Sequence, residues 1–185
     1  MMETKLSATE TLCTYGANLL GQAVILIDRL EKEAKPGFDY AKAVGPHLRH
    51  IIDHYDALLR ALPTGSPVEY DHRARDPLVQ SQSAVTKRKL EDIIQKLRDL
   101  GAGIPKSYSP TTPLTTIFNS GAQGEYEFET GSTLGRELIF VSHHAVHHYA
   151  ILSRYCAEAG VAVDADFGKA PATIAYEKSL PPKCA

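Results

Sequence analysis

The 185-residue chain has no tryptophan, only three cysteines, no excess of either charge and no long apolar run. Each absence removes a class of protein. Cys13, Cys156 and Cys184 are odd in number, widely spaced and free of any CxxC pair. They build no disulfide framework and predict a reducing, cytoplasmic setting. A formal net charge of -2 lacks the basic excess of a nucleic-acid footprint, so nucleic acid is not an expected partner. The most apolar stretch, Ala23 to Ile27, is far too short to cross a bilayer, so no membrane partner is expected either. The opening Met-Met-Glu-Thr-Lys is not a basic segment leading into an apolar block, which predicts no secretory signal. Internal repeats and low-complexity tracts are also missing.

What remains is an ordinary globular composition, 43% hydrophobic and 23% charged. A chain of this length suits one domain over residues 1–185 and buries a core without a metal or disulfide to hold it. Apolar residues recur with helical period in four segments. The first spans about residues 7–34 and carries Leu12, Leu19, Ala23, Leu26 and Leu30 on one stripe. The second, about 41–62, carries Val44, Leu48, Ile51, Ile52, Tyr55 and Leu59 and ends at Pro63-Thr-Gly65. The third, about 76–100, carries Leu90, Ile93, Ile94 and Leu97. The fourth, about 132–159, carries Leu134, Leu138, Val141, Leu152 and Tyr155, with Gly160 as its C′ residue. Between the last two, Leu114–Phe118 and Glu125–Phe128 flank Asn119-Ser-Gly-Ala-Gln-Gly124, the pattern of a short β-hairpin. The expected fold is all-α, a four-helix bundle with a hairpin insertion between helices three and four and an irregular tail from about residue 161.

Seven of the eight histidines lie in two short stretches. Val141-Ser-His-His-Ala-Val-His-His148 holds four imidazoles, and His47-Leu-Arg-His-Ile-Ile-Asp-His54 holds three. At about 100° per residue, with His148 at zero, His144 falls at about -40°, within the stripe of Val141, Leu152 and Tyr155. His147 and His143 fall on the polar side with Arg136 and Arg154, at the rim or facing water. The i, i+4 pair His144 and His148 lets two imidazole nitrogens converge on one cation. The bland alternative is a hydrogen-bonded core histidine. It weakens when a second cluster sits on another helix, because several imidazoles buried without partners leave costly polar atoms. On helix two the wheel puts His54 and His47 closer to the apolar stripe than His50.

The stretches Ala43-Val-Gly-Pro-His-Leu-Arg-His50 and His144-Ala-Val-His-His148-Tyr-Ala-Ile resemble the DinB-like (YfiT-like) superfamily of four-helix-bundle metalloproteins. Tyr70-Asp-His-Arg-Ala-Arg-Asp76 is similar to an uncharacterised branch of it. The resemblance implies His50, His144 and His148 as metal ligands; the wheel keeps His54 as the alternative third ligand and His47 as a group contacting a ligand or the substrate. The resemblance also implies that some relatives are thiol-dependent transferases using low-molecular-weight thiols.

Three neutral nitrogens without thiolate or carboxylate suit Zn²⁺, Ni²⁺ or Fe²⁺. Three ligands leave a position for water or substrate, as in catalytic zinc sites. No HExxH is present, so the metalloprotease arrangement lacks its base. A hemerythrin-like di-iron centre lacks its Glu-x-x-His carboxylates. The loop Tyr70 to Asp76 reads first as a solvated turn with Asp76 capping a helix before Pro77. Its functional alternative has Arg73 or Arg75 holding an anionic substrate group and Tyr70 acting as acid or hydrogen-bond donor. His147 completes the candidate pocket. Cys13 and Cys156 are expected to pack as small apolar residues. The expected function is a metal-dependent transferase or hydrolase acting on a small molecule or thiol, with a non-catalytic metal-binding bundle as the alternative. Bundles with exposed helix faces often dimerise, so a homodimer is an assembly this fold allows.

Overall fold

The computed structural model of the protein describes residues 6–72 and 74–180. Helix α1 (Ala8–Glu33) begins at a capping box: the Ser7 hydroxyl accepts from the Glu10 amide at 3.1 Å, and the Glu10 carboxylate accepts from the Ser7 amide at 3.3 Å. These bonds satisfy two of the amides that every helix start leaves over. A short α2 (Tyr40–Ala43) leads into α3 (Gly45–Thr64), which ends at Gly65 in the left-handed region, φ 69°. There follow β1 (Val68–Glu69), α4 (Pro77–Ser81), α5 (Ser83–Gly101), β2 (Pro113–Ser120), β3 (Tyr126–Thr133), α6 (Leu134–Ala159) and α7 (Pro171–Ser179). The chain is mainly helical, with one small sheet of order β1-β2-β3, parallel at β1-β2 and antiparallel at β2-β3.

Helix α1 packs along α5 and α6, and α3 packs along the same two. Their facing stripes form one core in which Leu20, Ile27, Leu48, Leu58, Leu90, Ile93, Leu97 and Leu138 are fully buried. Each such side chain contributes about 1.5–3 kcal/mol of transfer free energy. Two buried phenols find partners that fix how the helices sit. Tyr149 on α6 donates to the Leu19 carbonyl of α1 at 2.7 Å, and Tyr55 on α3 shares a hydrogen bond with Ser142 on α6 at 3.1 Å. The second bond matters for function, because it locks the register of the two helices that carry the histidine clusters.

Four features depart from the periodicity. The segment expected as one helix over 41–62 breaks at Val44, where φ -108° and ψ -45° separate α2 from α3 and Pro46 enters the first turn of α3. The segment expected over 76–100 breaks at Gln82, whose φ -120° and ψ 108° are extended. The hairpin strands run longer than their apolar cores, and a third strand of two residues joins them, too short to show alternation. The tail from residue 161 contains α7, a polar helix that buries none of its residues.

The start of α3, just after this break, is closely packed. Gly45 is buried where α3 meets α4, and a Cβ added there would stand 1.8 Å from the backbone carbonyl oxygen of Gln80. Backbone cannot swing aside as a side chain can. Gly45→Ala is therefore expected to lose at least about 1–3 kcal/mol, the usual cost of overpacking. Gly21 on α1 has nothing within 4 Å of a Cβ, so Gly21→Ala is expected to gain about 0.5–1 kcal/mol from helix propensity. Urea unfolding of the two variants beside the wild type reads both signs; equal midpoints would contradict the close approach.

Candidate metal centre

The two histidine clusters meet where α3 packs on α6. His50 on α3, with His144 and His148 one turn apart on α6, each offer one ring nitrogen such that all three lie within 4.8 Å of one another. Their ring centroids are 4.9 Å apart for His50 and His144, 4.8 Å for His50 and His148, and 4.7 Å for His144 and His148. All three are half-buried. Nitrogens bound at about 2.0–2.1 Å to one tetrahedral ion stand roughly 3.3 Å apart, so this set needs only small side-chain rotations to close on a cation. The donors also fit in kind. Three imidazoles are borderline ligands that take first-row divalent ions. Burial first, then the neighbouring imidazoles of His144, His47, His147 and His54, hold the His148 ring far below the ordinary histidine value, at about 3. At neutral pH His148 is therefore a neutral imidazole, the form that ligates.

The remaining histidines surround the three. His54 is buried one turn after His50; its Nδ1 donates to the His50 carbonyl at 2.8 Å, and its ring lies 4.3 Å from that of His144. It lines the cluster without joining the convergent set. His47, one turn before His50, is half-buried, and its Nδ1 is 2.9 Å from Nδ1 of His148. His147 is exposed at the rim, its ring 5.5 Å from that of His148.

The loop after α3 requires corrections. Tyr70 is not a group at an open mouth: it is 3% exposed, its ring stacks on His54 with centroids 5.2 Å apart, and its hydroxyl donates to Glu137 at 2.6 Å. Burial, then the bond to Glu137, pushes its pKa well above the ordinary tyrosine value, which removes it as an acid near neutral pH. Asp76 accepts from the Leu78 amide at 2.9 Å and caps α4, as the solvated-turn reading expects. Arg75 is exposed, with φ 48°. Arg73 lies outside the described residues.

Glu137 is the buried polar residue beside the cluster that periodicity passed over. It is fully buried, 0% exposed, in the first turn of α6, where it accepts from Tyr70, from the Ser132 hydroxyl and from Arg136. The signal was present: Glu137 precedes His144 by seven residues, which places both on one face of the helix. Phe140, whose ring lies 5.9 Å from His144 and 5.2 Å from Tyr70, closes the same wall. The wall thus runs Glu137, Tyr70, His54 to the histidine set, all neutral or hydrogen-bonded groups behind a cluster of lone pairs.

Other chemistry is remote or silent. Cys13 and Cys156 are buried, as expected, and burial pushes both thiols to about 11. Neither is a reactive thiolate at neutral pH. Cys184 lies outside the described residues. A concave space of about 460 Å³ lies between α1, α6 and α7 and is lined by Leu19, Gln22, Val146, Phe167 and Ile174, not by the histidines. The ligand chemistry is at the cluster, and volume alone does not move it.

Against known proteins, the chain is 30% identical over 111 residues to FK506-binding protein 5 of the fungus Rhizopus delemar, a stretch that covers 60% of this chain and 28% of that relative. The chain thus matches little more than a quarter of that relative's length. No family model matches the chain, and no solved structure does. The resemblance to the DinB-like superfamily is thereby corrected: no family model supports it, and the similarity found points to a protein of another name. The physical reason is plain. An i, i+4 histidine pair facing a histidine on a neighbouring helix is what any metal site between two helices needs, so those stretches carry ligand geometry and not ancestry. The case for a metal centre rests on the geometry above. Among the described residues no helix is long and apolar enough to cross a membrane.

Proposed function

We propose that the protein binds one divalent first-row metal ion, Zn²⁺, Ni²⁺ or Fe²⁺, through His50, His144 and His148. The observation that carries this reading is the convergence of three imidazole nitrogens within 4.8 Å on facing helices. In this reading α1, α3, α5 and α6 act as a four-helix bundle, whose core is where such sites are built from side chains on adjacent helices.

Three neutral ligands leave a dication its full charge and at least one position for an outside ligand, water or a small anion. A bound ion of this kind supplies Lewis acidity and lowers the pKa of a bound water to about 7. The residues of this chain would hold it, exclude water on the side of Phe140 and Tyr70, and leave the half-buried rim beside His147 for a small-molecule or thiol ligand. That makes a cytoplasmic metal-dependent transferase or hydrolase the leading activity, with a non-catalytic metal-binding protein as the second reading. The FK506-binding name belongs to a relative matched over 28% of its length, and nothing at the histidine cluster carries it over.

The test is metal content followed by ligand exchange. Purified protein is expected to hold about one divalent ion per chain, as a three-imidazole site should. With Co²⁺ in its place, adding a small thiol is expected to produce a sulfur-to-metal charge-transfer band. A Co²⁺-loaded protein whose spectrum responds to neither thiol nor azide has a closed site, and the enzyme reading then gives way to the binding one.

A further inference from the structure

The contact between His47 and His148 decides which nitrogen of His148 serves as ligand. Their Nδ1 atoms are 2.9 Å apart, on the first turn of α3 and the middle of α6. A hydrogen bond between two imidazoles has one donor and one acceptor, so the proton sits on one of these two nitrogens. If His47 donated, neutral His148 would carry its own proton on Nε2 and would have no lone pair left for a cation. If His148 donates, its Nε2 keeps the lone pair, and His47 carries its proton on Nε2 at the half-buried rim.

We infer that His47 is a positioning residue: its Nδ1 accepts from Nδ1–H of His148, fixes His148 in that tautomer and turns the Nε2 lone pair toward His50 and His144. This rests on the proposed metal site, yet it is a statement about the protein's own imidazoles. The physical logic is that of outer partners at metal sites generally, where a second hydrogen bond sets both the tautomer and the ring orientation of the ligand. Ring packing supports it, since His47 is wedged between His148, at 5.2 Å, and Tyr155, at 5.7 Å between centroids. A wedged acceptor holds one geometry, whereas a loose one would leave the ring of His148 free to flip. The residue that helix periodicity placed near the stripe thereby acquires a role that is neither ligand nor core.

Long-range ¹H–¹⁵N correlation spectra of uniformly labelled, metal-free protein test this directly, because they report which ring nitrogen carries the proton. The expected result is a protonated Nδ1 on His148 and a protonated Nε2 on His47. A His148 protonated on Nε2 would overturn the assignment. Zinc titrations supply the second arm: His47→Leu is expected to weaken Zn²⁺ binding by about 10–100-fold, the usual cost of losing an outer partner. His47→Asn, whose side-chain oxygen falls near the position of the lost Nδ1, should recover most of that loss at the same thermal midpoint. Equal loss in both variants, or none in His47→Leu, would reduce His47 to packing. Wild-type protein with the expected tautomers but no zinc affinity would sink the metal reading while leaving the tautomer assignment standing.

Discussion

His144→Ala and His148→Ala are each expected to abolish stoichiometric metal binding, with affinity falling by more than the roughly 10–100-fold that loss of an outer partner brings. Both imidazoles project from one turn of α6, and their nitrogens meet that of His50 within 4.8 Å. Removing either leaves two ligands, too few to displace the hydration shell of a first-row dication. His50→Ala should behave the same way, and His54→Ala should not. The Nδ1 of His54 is committed to the His50 carbonyl at 2.8 Å, and its other nitrogen lies outside the convergent set. Elemental analysis after dialysis checks all four. Full occupancy in His50→Ala with loss in His54→Ala would transfer the third ligand to His54.

The second large effect concerns stability, at Glu137. Its carboxylate is fully buried and accepts from Tyr70 at 2.6 Å and from Arg136 at 2.8 Å, with Ser132 as a third donor. Glu137→Ala removes the acceptor and leaves the buried Tyr70 hydroxyl without its partner, which alone costs about 1–3 kcal/mol. With the cavity and the stranded Ser132 donor, the total is expected at about 2–5 kcal/mol, the range for truncating a buried side chain to alanine. Arg136 is largely exposed, so water rescues part of its share and the Tyr70 bond dominates. Denaturant unfolding measures the loss. A variant as stable as the wild type would show that the network is solvated and holds nothing.

How much of this was legible beforehand follows the length scale of each signal. The long helices α1 and α6 announce themselves over seven turns, and their stripes agree with the buried residues except at Leu12 and Tyr155, which pack half-buried against the core. The i, i+4 pair His144 and His148 was legible for the same reason, since helix geometry alone brings the two rings together. His50 was not legible from periodicity, because the wheel for helix two favours His47 and His54. That ranking measures closeness to the apolar stripe, whereas a ligand must face α6 across the groove. The break at Val44 was hidden by the unbroken apolar pattern on either side, and the close approach of the Gln80 carbonyl to Gly45 comes from 35 positions away in sequence. The two-residue β1 and the polar α7 fall below the length or amphipathicity that any pattern resolves. Glu137 was visible at i, i+7 from His144, but a single glutamate on a helix ordinarily faces water, and only the burial of Tyr70 over it reveals the exception. The motif resemblance failed because it rested on ligand spacing, which unrelated helical sites share.

The central claim is that three imidazoles from α3 and α6 converge on one divalent ion, and X-ray absorption at the zinc edge of zinc-loaded protein tests it most directly. The expected first shell is nitrogen or oxygen only, at about 2.0–2.1 Å, with outer-shell scattering from three imidazole rings. A sulfur-containing shell, a shell without imidazole scattering, or a protein that takes up no zinc would contradict it.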